Sequence, residues 1–164
     1  MERLWTPWRL AYVSGGSESD QCVFCRALES EDAAPLIVFR GGTSYVILNL
    51  FPYNNAHLMI VPNRHVAALA ALSDAERSEM MQLAAVAESA ITEAYAPHGM
   101  NIGINLGKPA GAGVPGHIHL HVVPRWNGDT IFMSVIGQTR VLPEELPQTA
   151  EKLRPIFERL TRSR

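Results

Sequence analysis

Cysteine is scarce in this chain: two residues in 164, both within Cys22-Val23-Phe24-Cys25. A disulfide-scaffolded secreted fold is therefore excluded, and a lone CxxC in a chain without an export signal reads as metal or redox chemistry. No apolar run reaches the roughly 18 residues of a membrane-spanning helix. Met1-Glu2-Arg3-Leu4-Trp5 lacks the apolar segment of a signal peptide, so a cytoplasmic protein is expected. Charge of one sign is missing too, with 14 Lys and Arg against 16 Asp and Glu and a net charge of −2. That removes any general attraction for nucleic acid or anionic membrane, and a phosphate site must be local. Repeats and low-complexity tracts are absent. What remains, 47% hydrophobic and 18% charged, is an ordinary globular composition, at a length suited to one domain with a sizeable core.

Three of the six histidines fall at alternate positions of His117-Ile118-His119-Leu120-His121-Val122-Val123-Pro124-Arg125. Alternate side chains of a strand share a face. The spacing thus predicts a strand over 117–124, with the imidazoles on one face and Ile118, Leu120 and Val122 in the core behind. Imidazoles about 6.5–7 Å apart cannot all grip one small atom, but they can divide labour along a phosphate chain. Gly111-Ala112-Gly113-Val114-Pro115-Gly116 precedes them, and Gly111 and Gly113 let backbone N–H groups approach a phosphate closely. An imidazole acts as a nucleophile when its other nitrogen donates to a fixed acceptor. For His119, the main chain two residues back offers one.

Further strands are expected at 36–39, 44–50, 56–61 and 100–106, the first two joined as a hairpin through Arg40-Gly41-Gly42-Thr43. A short helix is expected to follow the CxxC, around Arg26-Ala27-Leu28-Glu29. Ser73 with Glu76 forms a capping-box signal. Met80, Leu83, Ala84, Ala87, Ile91 and Ala94 continue it as an apolar helical stripe, ending near Tyr95-Ala96-Pro97-His98-Gly99. A C-terminal helix over about 146–162 would use Leu153, Ile156, Phe157 and Leu160, with Pro155 implying a kink or a late start. Residues 4–13, rich in aromatics and arginine, suit an arm over a partner subunit or a plug on the chain's own core, and 14–20 a linker. The elements together predict an α+β fold around an antiparallel sheet.

The alternating histidines resemble the histidine-triad (HIT) family of nucleotide hydrolases and transferases. Asn49-Leu50-Phe51-Pro52-Tyr53-Asn54-Asn55-Ala56-His57-Leu58-Met59-Ile60-Val61-Pro62, with Arg64-His65 beyond, is similar to the family's other signature. Leu4-Trp5-Thr6-Pro7-Trp8-Arg9, the CxxC and Gly128-Asp129-Thr130-Ile131-Phe132-Met133 resemble its bacterial branch of diadenosine tetraphosphate (Ap4A) phosphorylases. The resemblance implies a HIT-like fold over residues 1–164: a five-stranded antiparallel sheet, one long helix and a C-terminal helix. Residues 1–20 would be an arm and linker, and 140–164 an extension. A homodimer is implied, or a tetramer.

The resemblance also implies roles. His119 would attack the α-phosphorus and carry a covalent nucleotidyl group, His121 would contact the bridging or leaving oxygen, and His57 would support them. Asn49 and Leu50 would hold the nucleoside, although the family usually places an acidic residue on the ribose where Asn49 stands. Phe51 suits either a wall for the base or core packing. Asn105, Gly111 and Gly113 would bind phosphate, with Lys108 and Arg125 as candidate contacts for outer phosphates. Zinc-bearing relatives imply His65 and His117 as the ligands completing a structural site with Cys22 and Cys25; a redox-active CxxC is the competing reading. No catalytic metal is implied, because the nucleophile is an imidazole. The implied reaction is Ap4A phosphorolysis to ATP and ADP, with hydrolysis or nucleoside phosphoramidate cleavage as alternatives. A non-catalytic nucleotide-binding module would be expected to have lost His119 or its loop, and both are present; the acidic balance argues against a nucleic-acid binder.

Overall fold

The structure, a computed structural model, describes residues 22–30, 35–129 and 143–162. The expected arm and linker, and Thr130-Ile131-Phe132-Met133, lie outside the described residues. In chain order the elements are α1 (Val23–Glu29), β1 (Ile37–Arg40), β2 (Ser44–Leu48), β3 (Leu58–Pro62), α2 (Asp74–Tyr95), β4 (Gly99–Ile104), β5 (Leu120–Arg125) and α3 (Leu146–Arg162). The five strands form one antiparallel sheet in the order β1-β2-β3-β5-β4. The expected α+β architecture is present, with the long helix and the C-terminal helix in their expected places.

Alternation along the strands splits the apolar residues between two layers. Val46 and Leu48 of β2, Leu58 and Ile60 of β3, and Leu120 and Val122 of β5 pack beneath α2 and α3, against Met80, Leu83, Ala87, Ile91, Leu153 and Phe157. Their neighbours Tyr45, Ile47, Met59 and Val61 point to the other face, where Phe24 of α1 covers them. His117 and His119 lie on this second face, against Phe24. Tyr45 pins α1 there, its hydroxyl donating to the Phe24 carbonyl at 2.8 Å.

The triad strand is shorter than its sequence pattern predicts. β5 begins at Leu120, so His117 and His119 lie in the segment leading into it. The reason is visible in the main chain: His117 N–H goes to the Val114 carbonyl and Ile118 N–H to the Val66 carbonyl, so neither joins a ladder. The alternation of faces nevertheless holds through this segment, because Ile118 is buried in the same layer as Leu120 and Val122. The strand expected over 56–61 starts later, at Leu58, with Ala56 in the left-handed region (φ 58°) just before His57. Pro155 lies inside α3. It costs one helical bond, but the orphaned carbonyl is that of Glu151, on an exposed turn where water can bond it.

The capping box at the start of α2 is formed as expected, with Ser73 Oγ accepting from Glu76 N–H and Glu76 returning a bond to Ser73 N–H. Arg64, just past β3, makes a two-pronged contact with the same buried carboxylate at 3.0 and 2.8 Å. The Arg64 guanidinium and the Ser73 N–H hold the Glu76 carboxyl down at about 2. A carboxyl held lower in the folded than in the unfolded state contributes stability that is whole above the ordinary carboxylate range. That stability is lost as pH falls towards about 2. Glu76→Gln should therefore lower the denaturation midpoint at neutral pH and flatten its acid limb; a variant that keeps the wild-type pH profile would rule the contribution out.

Candidate active site

His57, fully buried, lies one residue before β3. Its main chain continues the β2–β3 ladder, with Asn49 N–H donating to the His57 carbonyl at 2.9 Å. The backbone N–H of Tyr53 donates to His57 Nδ1 at 3.1 Å. A main-chain N–H can only donate, so Nδ1 carries no proton and Nε2 must carry it. His57 Nε2 is 2.9 Å from His121 Nδ1, which is therefore the acceptor. The remaining proton of neutral His121 is on Nε2. A one-way chain of donors thus runs from Tyr53 through His57 to His121 and ends in an imidazole N–H.

His119 has the opposite tautomer. Its Nδ1 lies 2.8 Å from the carbonyl of His117, so Nδ1 donates and Nε2 keeps its lone pair. The ring is buried, 4.8 Å by centroid from both Phe24 and His121. Burial holds the His119 imidazole below its ordinary range. Burial, then the proximity of His119, pushes His121 down to about 4. Both rings are neutral near pH 7, as the tautomers require. A bare nitrogen and an N–H thus stand on adjacent rings, which suits attack at one atom and proton donation at the next.

Beside this pair the CxxC meets two histidines. Cys22 caps α1 and Cys25 lies within it, so both thiols present to one side. Cys22 Sγ is 3.4 Å from His117 Nδ1, Cys25 Sγ is 3.4 Å from His65 Nδ1, and Cys25 Sγ is 3.7 Å from His117 Nδ1. All four ligand atoms lie within 4.8 Å of one another. Tetrahedral zinc with S and N ligands spaces its donors roughly 3.3–3.8 Å apart, and the three thiol–imidazole separations of 3.4, 3.4 and 3.7 Å fall in that range. His117 is tuned for the role: its Nε2 donates to the Pro62 carbonyl at 2.9 Å, which leaves Nδ1 bare towards the thiols. Burial and the neighbouring Cys22 push the Cys25 thiol up, a penalty a bound cation would relieve. This cluster could hold a metal ion, and the convergence of His65 and His117 is what a redox-active CxxC leaves unexplained.

The other expected contacts are placed less uniformly. Leu50 and Phe51 are 61% and 62% exposed on the loop after β2, so Phe51 is not core. Asn105 follows β4; carrying the Ile104↔Leu120 register one step further sets it opposite His119. Gly111 takes a left-handed φ of 94°, and its N–H is spent on the Lys108 carbonyl inside a 3-10 turn. Gly113 lies two residues on, at a bend before the histidines. Asn49 is buried, its Oδ1 accepting from Phe51 N–H at 3.0 Å and its Nδ2 3.4 Å from His57 Nδ1. Both ends of its amide thus have partners within the protein. Arg125 is also committed: it pairs with Asp129 at 2.6 and 2.8 Å and bonds Asn101 Oδ1, so it does not reach for an outer phosphate. Asp129 in turn accepts from Asn54 at 2.8 Å, pinning the loop that carries Tyr53.

The HIT domain model matches residues 31–128. The chain is 40% identical over 161 residues to an AP-4-A phosphorylase of Mycobacterium tuberculosis, covering 93% of this chain and 83% of that one. It is 29% identical over 128 residues to a bis(5'-adenosyl)-triphosphatase of Dictyostelium discoideum, covering 74% and 85% of the two chains. Among solved structures, a zinc-bound histidine triad family protein from Mycobacterium smegmatis superposes with a TM-score of 0.70 at 31% identity, over 88% of this chain and 98% of that one. With the domain matched over more than half its length and a relative 40% identical over most of it, the chain belongs to the histidine triad, or HIT, domain family.

Proposed function

We propose that this HIT-family enzyme cleaves dinucleoside polyphosphates at the α-phosphate, with Ap4A phosphorolysis to ATP and ADP as its reaction. The observation that carries the proposal is the tautomer of His119, whose Nδ1 bond to the His117 carbonyl frees Nε2 for attack. In the first step Nε2 bonds to the α-phosphorus of Ap4A and the α–β bridging P–O bond breaks. ATP leaves, and His121 Nε2–H donates to its departing oxygen. The adenylyl group stays on His119. In the second step a phosphate oxygen attacks the same phosphorus, the P–N bond breaks, and ADP is released. His57 keeps His121 in the donating tautomer throughout. Asn105, opposite the nucleophile, and Gly113 suit contacts to the α-phosphate, with Leu50 and Phe51 on the nucleoside side.

Similarity to the Mycobacterium tuberculosis phosphorylase supports phosphate as the acceptor, while the Dictyostelium triphosphatase represents water in that role. Incubating Ap4A with and without inorganic phosphate and separating the products decides between them. ADP that forms only with phosphate is the expected result; AMP with ATP, independent of phosphate, would replace phosphorolysis by hydrolysis.

Zinc is the ion we assign to Cys22, Cys25, His65 and His117, on its preference for mixed thiolate and imidazole donors. Bound there it would be structural, tying α1 to the segments before β5 and after β3. Two copies are proposed to pair through β4, an edge strand exposed along most of its length. The chain acts as one domain in this scheme. No described helix is long and apolar enough to cross a membrane, and a cytoplasmic location is part of the proposal.

A further inference from the structure

We propose that Asn54 and Asp129 are positioning residues for the leaving-group donor, clamping the loop before β3 so that Tyr53 N–H stays aimed at His57; this rests on the reading of His121 as that donor. The Asn54 amide spends both of its N–H groups on the end of β5 and the turn after it. One goes to the Pro124 carbonyl at 2.9 Å and the other to Asp129 Oδ2 at 2.8 Å. A carbonyl and a carboxylate can only accept, so the amide has one orientation. The Asp129 end is equally fixed. Its carboxylate takes two bonds from Arg125, at 2.6 and 2.8 Å, and one from Trp126 N–H at 3.3 Å. The guanidinium holds it ionised, far below the ordinary carboxylate range. A hydrogen bond to a charged, already oriented acceptor is stronger than one between neutral groups.

This clamp sits where the loop is least able to hold itself. Ala56 takes a left-handed φ of 58°, a conformation that a residue with a Cβ keeps only when its surroundings impose it. Just before it, two consecutive residues meet the histidine pair. The Asn54 carbonyl accepts from His57 N–H at 3.2 Å, and Tyr53 N–H donates to His57 Nδ1 at 3.1 Å. The Tyr53 ring lies over the same imidazole, 4.8 Å away by centroid, and 6.3 Å from that of His121. Releasing Asn54 therefore frees both the donor that keeps Nδ1 bare and the ring beside the pair. The two backbone bonds are already at the long end of the usual range, so a small outward shift weakens both. Without a donor aimed at it, His57 Nδ1 can take the proton, and His121 can then lose its own from Nε2.

Asn54→Ala, Asp129→Ala and the double variant, each with ¹⁵N-labelled histidine, test this, since long-range ¹H–¹⁵N correlation shows which ring nitrogen holds the proton. The wild type should show His57 and His121 both protonated at Nε2. Asn54→Ala should give mixed tautomers at both rings, and Asp129→Ala a smaller admixture, because the Pro124 carbonyl still holds Asn54. His119 should stay protonated at Nδ1 in every variant, as the check on fold. On Ap4A, kcat should fall about tenfold in Asn54→Ala with KM little changed. The double variant should match Asn54→Ala, since both changes cut one clamp. Unmoved protons on His57 and His121 in Asn54→Ala would overturn the proposal, as would single effects that add in full in the double variant. Mixed tautomers with undiminished kcat would overturn the reading of His121 as donor, on which the proposal depends.

Discussion

His119→Gly and His119→Asn are expected to lower turnover of Ap4A by about 10⁴-fold or more, the usual scale for loss of a covalent nucleophile, while nucleotide affinity survives. The ring is buried but contributes little to either core layer; its fixed contacts are the His117 carbonyl and the rings of Phe24 and His121. Removing it should leave the sheet, the loop of residues 107–116 and the His57–His121 pair in place. The same operation on the partner ring should cost less: an amide in His121→Asn keeps one N–H, and a proton donor is worth roughly 10²–10⁴-fold. Brief mixing with labelled Ap4A should trap an acid-labile adenylyl adduct on the wild type and none on either His119 variant. Near-normal turnover without His119 would end the covalent mechanism.

How far this site could be read beforehand depends on whether its contacts are periodic. Ile118, Leu120 and Val122 alternate, and period 2 correctly sent them to the core and the histidines to the opposite face. The capping box of Ser73 and Glu76 is a spacing of three, equally readable. The quartet of Cys22, Cys25, His65 and His117 came from resemblance alone, since nothing in a CxxC points to histidines 40 and 95 residues away. Where β5 begins was not readable, because it is fixed by Val66 and Val114 carbonyls that take the N–H groups a strand would need. The intramolecular bonds of Asn49 were not readable for a related reason. An asparagine can face either a ligand or its own loop, and only the position of Phe51 N–H decides. Arg125 is similar: Asp129 four residues later was the available hint, and the Gly128-Asp129 turn brings it within reach. Tyr53 was missed entirely. Its contribution to the histidines is a backbone N–H, which no side-chain pattern records.

Cys22→Ser should lower metal content below one per chain and reduce stability by about 3 kcal/mol or more, a modest part of what a structural zinc can supply. For a chain of this size that corresponds to a Tm lower by roughly 6–12 °C. The expectation follows from what the cluster joins. Cys25 meets His65 and Cys22 meets His117 across 40 and 95 residues of chain, so one ion closes two long loops whose entropy is otherwise unconstrained. Its loss loosens α1, and with α1 goes Phe24, which lies against both His117 and His119. His119, the proposed nucleophile, is not among the four clustered ligand residues: its Nδ1 is committed to the His117 carbonyl. Stability and catalysis should therefore separate in time. A chelator added to the wild type should leave the first turnovers intact, with activity then falling only as fast as the folded fraction measured by near-UV circular dichroism. Immediate loss of turnover with the fold unchanged would assign the metal to the chemistry. A metal-free Cys22→Ser protein melting at the wild-type temperature would show that the four residues meet for some other purpose, and the redox reading of the CxxC would then be the one to pursue.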